Sequence, residues 1–223
     1  MLIKIPNILS REELTVAHDL INKAGFVDGK LSAGNVARMV KKNEEINSDA
    51  SELEQLNNLV MGNLLQNPAY QNGALPLRIA APYYARYTAG MSYGDHIDDP
   101  IMYAQAPYRS DIAITVFLTE PSDYEGGELV IRTSFGESEV KYSAGDAVMY
   151  PASSLHHVNE VTKGERIVAV TWVQSIIRDP AKRDLLYELN EVREKMLAEI
   201  PETEESKKID KTYVNLVRMW SEV

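Results

Sequence analysis

A chain of 223 residues, 44% hydrophobic and 25% charged, has the make-up of a globular protein large enough to bury its own core. It contains no cysteine, which excludes disulfides, thiolate nucleophiles and thiolate metal sites; any metal must rest on imidazole and carboxylate ligands, a set that suits Fe(II), Mn(II) or Zn(II). The formal charge of −10 argues against a general affinity for nucleic acid, and the absence of a signal-peptide pattern or a long apolar run makes the cytoplasm the expected compartment.

In chain order, residues 10–24 predict a helix: Ser10 is a suitable N-cap, Glu13 completes a capping box, and Leu14, Ala17, Leu20 and Ile21 share a face. Residues 51–66 carry a second helical stripe, with Ser51 as cap and Pro68 as stop. From about residue 77 to residue 178 the pattern changes to about seven or eight short β-like runs. They are separated by Ala89-Gly90, Glu125-Gly126-Gly127, Phe135-Gly136, Ala144-Gly145-Asp146 and Lys163-Gly164, each suited to a tight turn. After Asp179-Pro180 a helical tail follows, interrupted at Pro201. The expected fold class is α+β, a sandwich or jelly roll flanked by helices at both ends. Residues 1–178 are expected to form the main domain and 179–223 a helical extension that buttresses the core or forms a homodimer contact.

Of the four histidines, His18 reads as a surface or boundary residue of the first helix, while His96, His156 and His157 fall in the β region. His96 and Asp98 form a His-x-Asp pair, and in extended backbone residues two apart point to one face with Cα atoms about 6–7 Å apart. A third ligand from a distant strand would complete a facial triad of two histidines and a carboxylate, which leaves positions open on an octahedral iron. About sixty residues later His156 and His157 end one run, and Arg166 lies on the next, ten residues after His156. A buried arginine there would offer a two-pronged fork for a carboxylate; on its own it reads as a surface residue paired with Glu160 or Glu165. A turn of two or four residues at Lys163-Gly164 would put His157 on the face of Arg166, and a turn of three would put His156 there.

Taken together, FVDGK (26–30), YGDHID around His96, SDIAITVFL, YEGGELVI, AGDAVMYPASSLHHV, VTKGER and the final MWSE resemble the PKHD-type hydroxylases, bacterial relatives of prolyl 4-hydroxylases associated with iron uptake. The resemblance runs over nearly the whole chain and is specific for the family but not for a substrate. It implies a double-stranded β-helix and a dioxygenase that uses Fe(II), 2-oxoglutarate and O₂, yields succinate and CO₂, and is sustained by L-ascorbate. In the family order Ser-Leu-His-x-Val the first histidine binds metal, so the resemblance assigns iron to His96, Asp98 and His156, and 2-oxoglutarate to Arg166. His157 falls on the variable position, and Tyr87 and Tyr93 match tyrosines that line the cosubstrate pocket of such enzymes.

The expected substrate is a small molecule or a peptide, with a link to iron homeostasis and no membrane or nucleic-acid partner. The alternative function is a metal-binding jelly roll that is not an oxygenase, an iron sensor or a cupin-like protein, which would have no need of Arg166. A non-catalytic module that docks a partner through Tyr213 and Trp220 is a further reading.

Overall fold

The computed structural model describes residues 1–34, 37–103 and 106–222. A short strand β1 (Ile3–Ile5) leads into α1 (Arg11–Lys23), which has the expected capping box: Glu13 N–H donates to Ser10 Oγ and Ser10 N–H to the Glu13 carboxylate. Strands β2 (Phe26–Asp28), β3 (Lys41–Lys42) and β4 (Glu44–Ile46) follow, with the one-turn helix α2 (Ala37–Val40) before β3. Helix α3 (Leu53–Gln66) starts two residues later than the stripe suggested. Its N-cap is Glu52, without a side-chain bond, because the Ser51 hydroxyl is turned to the Glu52 carboxylate instead. Helix α3 ends at Gln66, before Pro68 as expected, and Pro68 then opens α4 (Pro68–Ala74), where a proline at the first position loses no helix bond and the Asn67 side chain caps the free N–H groups.

The remaining strands are β5 (Pro76–Ile79), β6 (Tyr83–Thr88), β7 (Met91–His96), β8 (Ile101–Tyr103), β9 (Pro107–Arg109), β10 (Ile112–Phe117), β11 (Tyr124–Gly126), β12 (Leu129–Thr133), β13 (Gly136–Val140), β14 (Ala147–Pro151) and β15 (His156–Ser175). Two helices close the chain, α5 (Pro180–Glu199) and α6 (Glu204–Trp220). An Arg193–Asp210 bridge of 2.7 Å ties these helices together, and Glu222 N–H donates to the Ile176 carbonyl, returning the tail to the exit of β15.

The architecture is the jelly roll expected, with one correction to its connections. Lys163-Gly164 is not a chain reversal: β15 runs unbroken for 20 residues and serves both sheets. From Glu165 onward it pairs with β6 and β10, in a sheet ordered β1-β14-β10-β15-β6-β4-β2. Its first half pairs with β7, β11 and β12 in the facing sheet. Ala89-Gly90 is likewise a bend between β6 and β7, which both lie along β15, and not a hairpin. Gly164 owes its place to close approach: φ is +77°, and a Cβ there would lie 2.1 Å from the Asp123 carbonyl on the neighbouring chain. The glycine therefore admits β11 to the edge of β15.

Strand β10 is buried along its whole length, so it reads as a continuous apolar run. Its alternation feeds two cores. Ile112, Ile114 and Val116 pack with Leu20, Ile21, Leu56 and Leu64 beneath the N-terminal helices. Ala113 and Phe117 pack with Tyr87, Leu129, Tyr150 and Val168 between the two sheets. The second core stops short of one end of the roll, and the functional groups line the space left there.

Candidate active site

His96 ends β7 and His156 begins β15, and the two are direct partners across the strand pair, with ring centroids 4.2 Å apart. Register, not sequence proximity, brings them together. Asp98 follows two residues after His96, and its Oδ1 lies 3.9 Å from His96 Nε2 and 3.8 Å from His156 Nε2. One ligand atom from each of the three residues lies within 4.8 Å of the others, a spacing that lets all three reach a single ion.

The protonation pattern suits a cation. His96 Nδ1 donates to the Gly94 carbonyl at 2.8 Å and His156 Nδ1 donates to the Ser154 carbonyl at 3.0 Å. A carbonyl only accepts, so both Nδ1 atoms carry the hydrogen, and Nε2, on the side of Asp98, is the atom each ring has left to offer a metal. Burial, followed by the nearby His156, pushes the His96 pKa down to about 3. Burial pushes the Asp98 carboxyl up, opposed by His156, and its Oδ2 has no hydrogen-bond partner among the described residues. A buried, under-bonded carboxylate beside two imidazoles that offer Nε2 is a costly arrangement without a cation and a sound one with it.

Arg166 is 1% exposed, faces Tyr87 across the β15–β6 pair, and holds its guanidinium carbon 5.1 Å from the Tyr87 ring and 5.8 Å from that of Phe117. Its Nε and Nη1 have no partner among the described residues, and neither Glu160 nor Glu165 pairs with it, so the surface reading fails. Burial raises the Tyr87 hydroxyl to about 12, with Arg166 pulling the other way. Tyr93 stacks on His96 at 3.7 Å. Triad, Arg166, Tyr87 and Tyr93 all line one cavity of about 120 Å³.

His157 points the other way. It meets Asp95 at 3.0 Å and Asn159 at 3.1 Å on the outer face, as alternation along an unbroken strand requires. His18 is half-buried, its Nε2 2.7 Å from the Leu118 carbonyl on the far side of the first sheet. The sequence reading missed Lys41 on β3, Glu45 on β4 and Asn43 between the two strands, all of which are buried and line the same cavity. Their segment had offered no periodic pattern to read.

The model of the 2OG-Fe(II) oxygenase superfamily matches residues 82–174, the stretch that contains the triad and Arg166. A PKHD-type hydroxylase of Thioalkalivibrio sulfidiphilus is 46% identical over the full length of both chains. This chain belongs to the PKHD-type hydroxylases. As a member it is a 2-oxoglutarate-dependent hydroxylase, and its family's cofactors are Fe(2+) and 2-oxoglutarate. Solved structures share the fold at lower identity. A Pseudomonas putida prolyl-4-hydroxylase matches 78% of this PKHD-type chain and 92% of its own at a TM-score of 0.52 and 17% identity. A Trichoplax adhaerens prolyl hydroxylase, solved with a hypoxia-inducible-factor peptide, matches 82% and 86% at a TM-score of 0.54 and 16% identity. Among the described residues no helix is long and apolar enough to cross a membrane.

Proposed function

We propose that His96, Asp98 and His156 hold the iron, that Arg166 clasps the distal carboxylate of 2-oxoglutarate beside Tyr87, and that residues 1–178 form the dioxygenase domain with 179–223 as its helical extension. The observation that carries this reading is the pairing of two unmet needs in one cavity: a buried carboxylate and two imidazoles close enough to share an ion, and a buried guanidinium with no carboxylate paired to it among the described residues. Iron and a dicarboxylate answer both at once. A non-oxygenase metal site leaves Arg166 without a purpose, which is why the oxygenase reading is preferred.

When bound, the iron with 2-oxoglutarate and O₂ supplies an oxidative decarboxylation that yields succinate and CO₂ and hydroxylates an unactivated C–H bond. The chain's part is to bind, orient and exclude. The Nδ1–H bonds to Gly94 and Ser154 lock each imidazole in the tautomer that offers Nε2. The Tyr93 ring packed flat on His96 and the Tyr150 ring edge-on to His156, 5.3 Å between centroids, hold both rings against rotation. Tyr87 and Phe117 wall the guanidinium off from water, which strengthens its bond to a carboxylate. L-ascorbate fits as the reductant that keeps the iron ferrous, and a link to iron homeostasis in the cytoplasm fits the family resemblance.

An anaerobic titration with Fe(II) and then 2-oxoglutarate tests the reading. A metal-to-ligand charge-transfer band is expected in the wild type and not in Asp98→Ala; a wild type without the band refutes it.

A further inference from the structure

Lys41 on β3 and Glu45 on β4 are 6% and 7% exposed and form an ion pair inside the cavity wall. The Lys41 ammonium also donates to Ser32 Oγ at 2.9 Å and lies 5.3 Å from the centre of the Tyr93 ring, whose other neighbour is His96. The pair is thus one aromatic ring from the triad. Glu45 Oε1 accepts from Lys41, and Oε2 accepts no bond from any described residue. Withdrawing two ions from water costs several kcal/mol each, and well-packed apolar residues in their place are often as stable. Stability alone therefore does not account for a charge pair at this position, and neither iron nor 2-oxoglutarate requires it.

Charge balance narrows what the pair could receive. In the loaded cavity the iron would offset the two carboxylates of 2-oxoglutarate, with both histidines as neutral ligands; Arg166 offsets Asp98, Lys41 offsets Glu45, and Asp99, the remaining acidic group of the lining, is exposed and keeps its charge in water. An ionic substrate group would sit among them without a counter-charge; a neutral group with a donor beside an acceptor would not. We propose that Lys41 and Glu45 form the primary-substrate subsite of this cavity and that the group they read is an amide, its N–H donating to Glu45 Oε2 and its carbonyl accepting from Lys41. This rests on the dioxygenase reading and adds the group next to which the hydroxylated carbon is carried.

The test is isothermal titration calorimetry, without oxygen, on the full chain loaded with Fe(II) and 2-oxoglutarate. The probes are N-acetylalanine N′-methylamide and propionamide, with methyl 2-acetoxypropanoate and methyl propionate as esters that lack the N–H. The wild type is expected to bind an amide at least about tenfold more tightly than its ester, the loss expected when a buried acceptor goes unmet. The double variant Lys41→Met/Glu45→Met, which leaves no unpaired charge, is expected to lose that preference and to keep the charge-transfer band. Tighter binding of the N-acetylalanine derivative assigns the amide to a peptide bond, and tighter binding of propionamide to a free carboxamide. Equal binding of amide and ester by the wild type, no amide binding, or a preference that survives the double variant overturns the subsite. The wild-type comparison stands even where the double variant does not fold. A wild type that lacks the charge-transfer band defeats the dioxygenase reading instead, so the two failures are told apart.

Discussion

Replacing Arg166 with Met separates a ligand-binding arginine from a structural one, because the two predict opposite signs. In the unloaded protein the guanidinium is desolvated and its Nε and Nη1 are unpaired. Met keeps most of the side-chain length and its packing against Tyr87 and Phe117 while removing the charge. Replacing a buried, uncompensated ion with an apolar residue is expected to raise stability by about 1–2 kcal/mol, and in a chain of this size that lifts Tm by about 2–8 °C. Binding moves the other way. Each hydrogen bond to a charged group contributes about 1.5–3 kcal/mol, so losing a two-pronged clasp costs about 3–4 kcal/mol, or an increase of about 100- to 1000-fold in Kd for 2-oxoglutarate. Differential scanning fluorimetry of the metal-free protein reads the first effect, and an anaerobic charge-transfer titration at fixed Fe(II) reads the second. A variant that melts lower than the wild type and binds 2-oxoglutarate equally well would refute the argument and make Arg166 a structural residue.

Asp98→Ala is expected to abolish stoichiometric Fe(II) binding and succinate formation while the secondary structure persists; metal analysis after gel filtration and a succinate assay check both. Gly164→Ala should destabilise the fold by about 2–4 kcal/mol, from a left-handed backbone and a clash with the Asp123 carbonyl, seen as a lower urea midpoint. Ser10→Ala removes one half of the α1 capping box and should cost about 1 kcal/mol in the same measurement. The Ser10 N–H, then Asn63, hold the Glu13 carboxyl below its usual range, so its contribution is fully present above about pH 4.5 and lost as the pH falls through the lowered value. Glu13→Gln should flatten that part of the stability–pH curve.

Much of this structure is legible in the residues, and the parts that are not have physical reasons. The capping box of α1 is local, so four residues suffice to place it. The His-x-Asp pair and Arg166 stand out by type and spacing, but convergence on one cavity depends on register between β7 and β15, which no short window contains. The unbroken course of β15 hid behind Lys163-Gly164, where a glycine needed for close approach to Asp123 looks like one needed for a turn. Lys41 and Glu45 carried no signal at all. Surface Lys–Glu pairs are common in any sequence, and only the sheet around them shows that this one is buried.

Placing His156 and Arg166 on a single strand has a consequence for how this chain can vary. The span between them is a length of covalent backbone, insensitive to how the two sheets slide or breathe against each other. Gly164 apart, what this span cannot absorb is a change in residue count. One residue added or removed between 157 and 165 would rotate one of the two side chains to the opposite face, whereas the hairpin tip at Ser134-Phe135, with Phe135 wholly exposed, is free to grow.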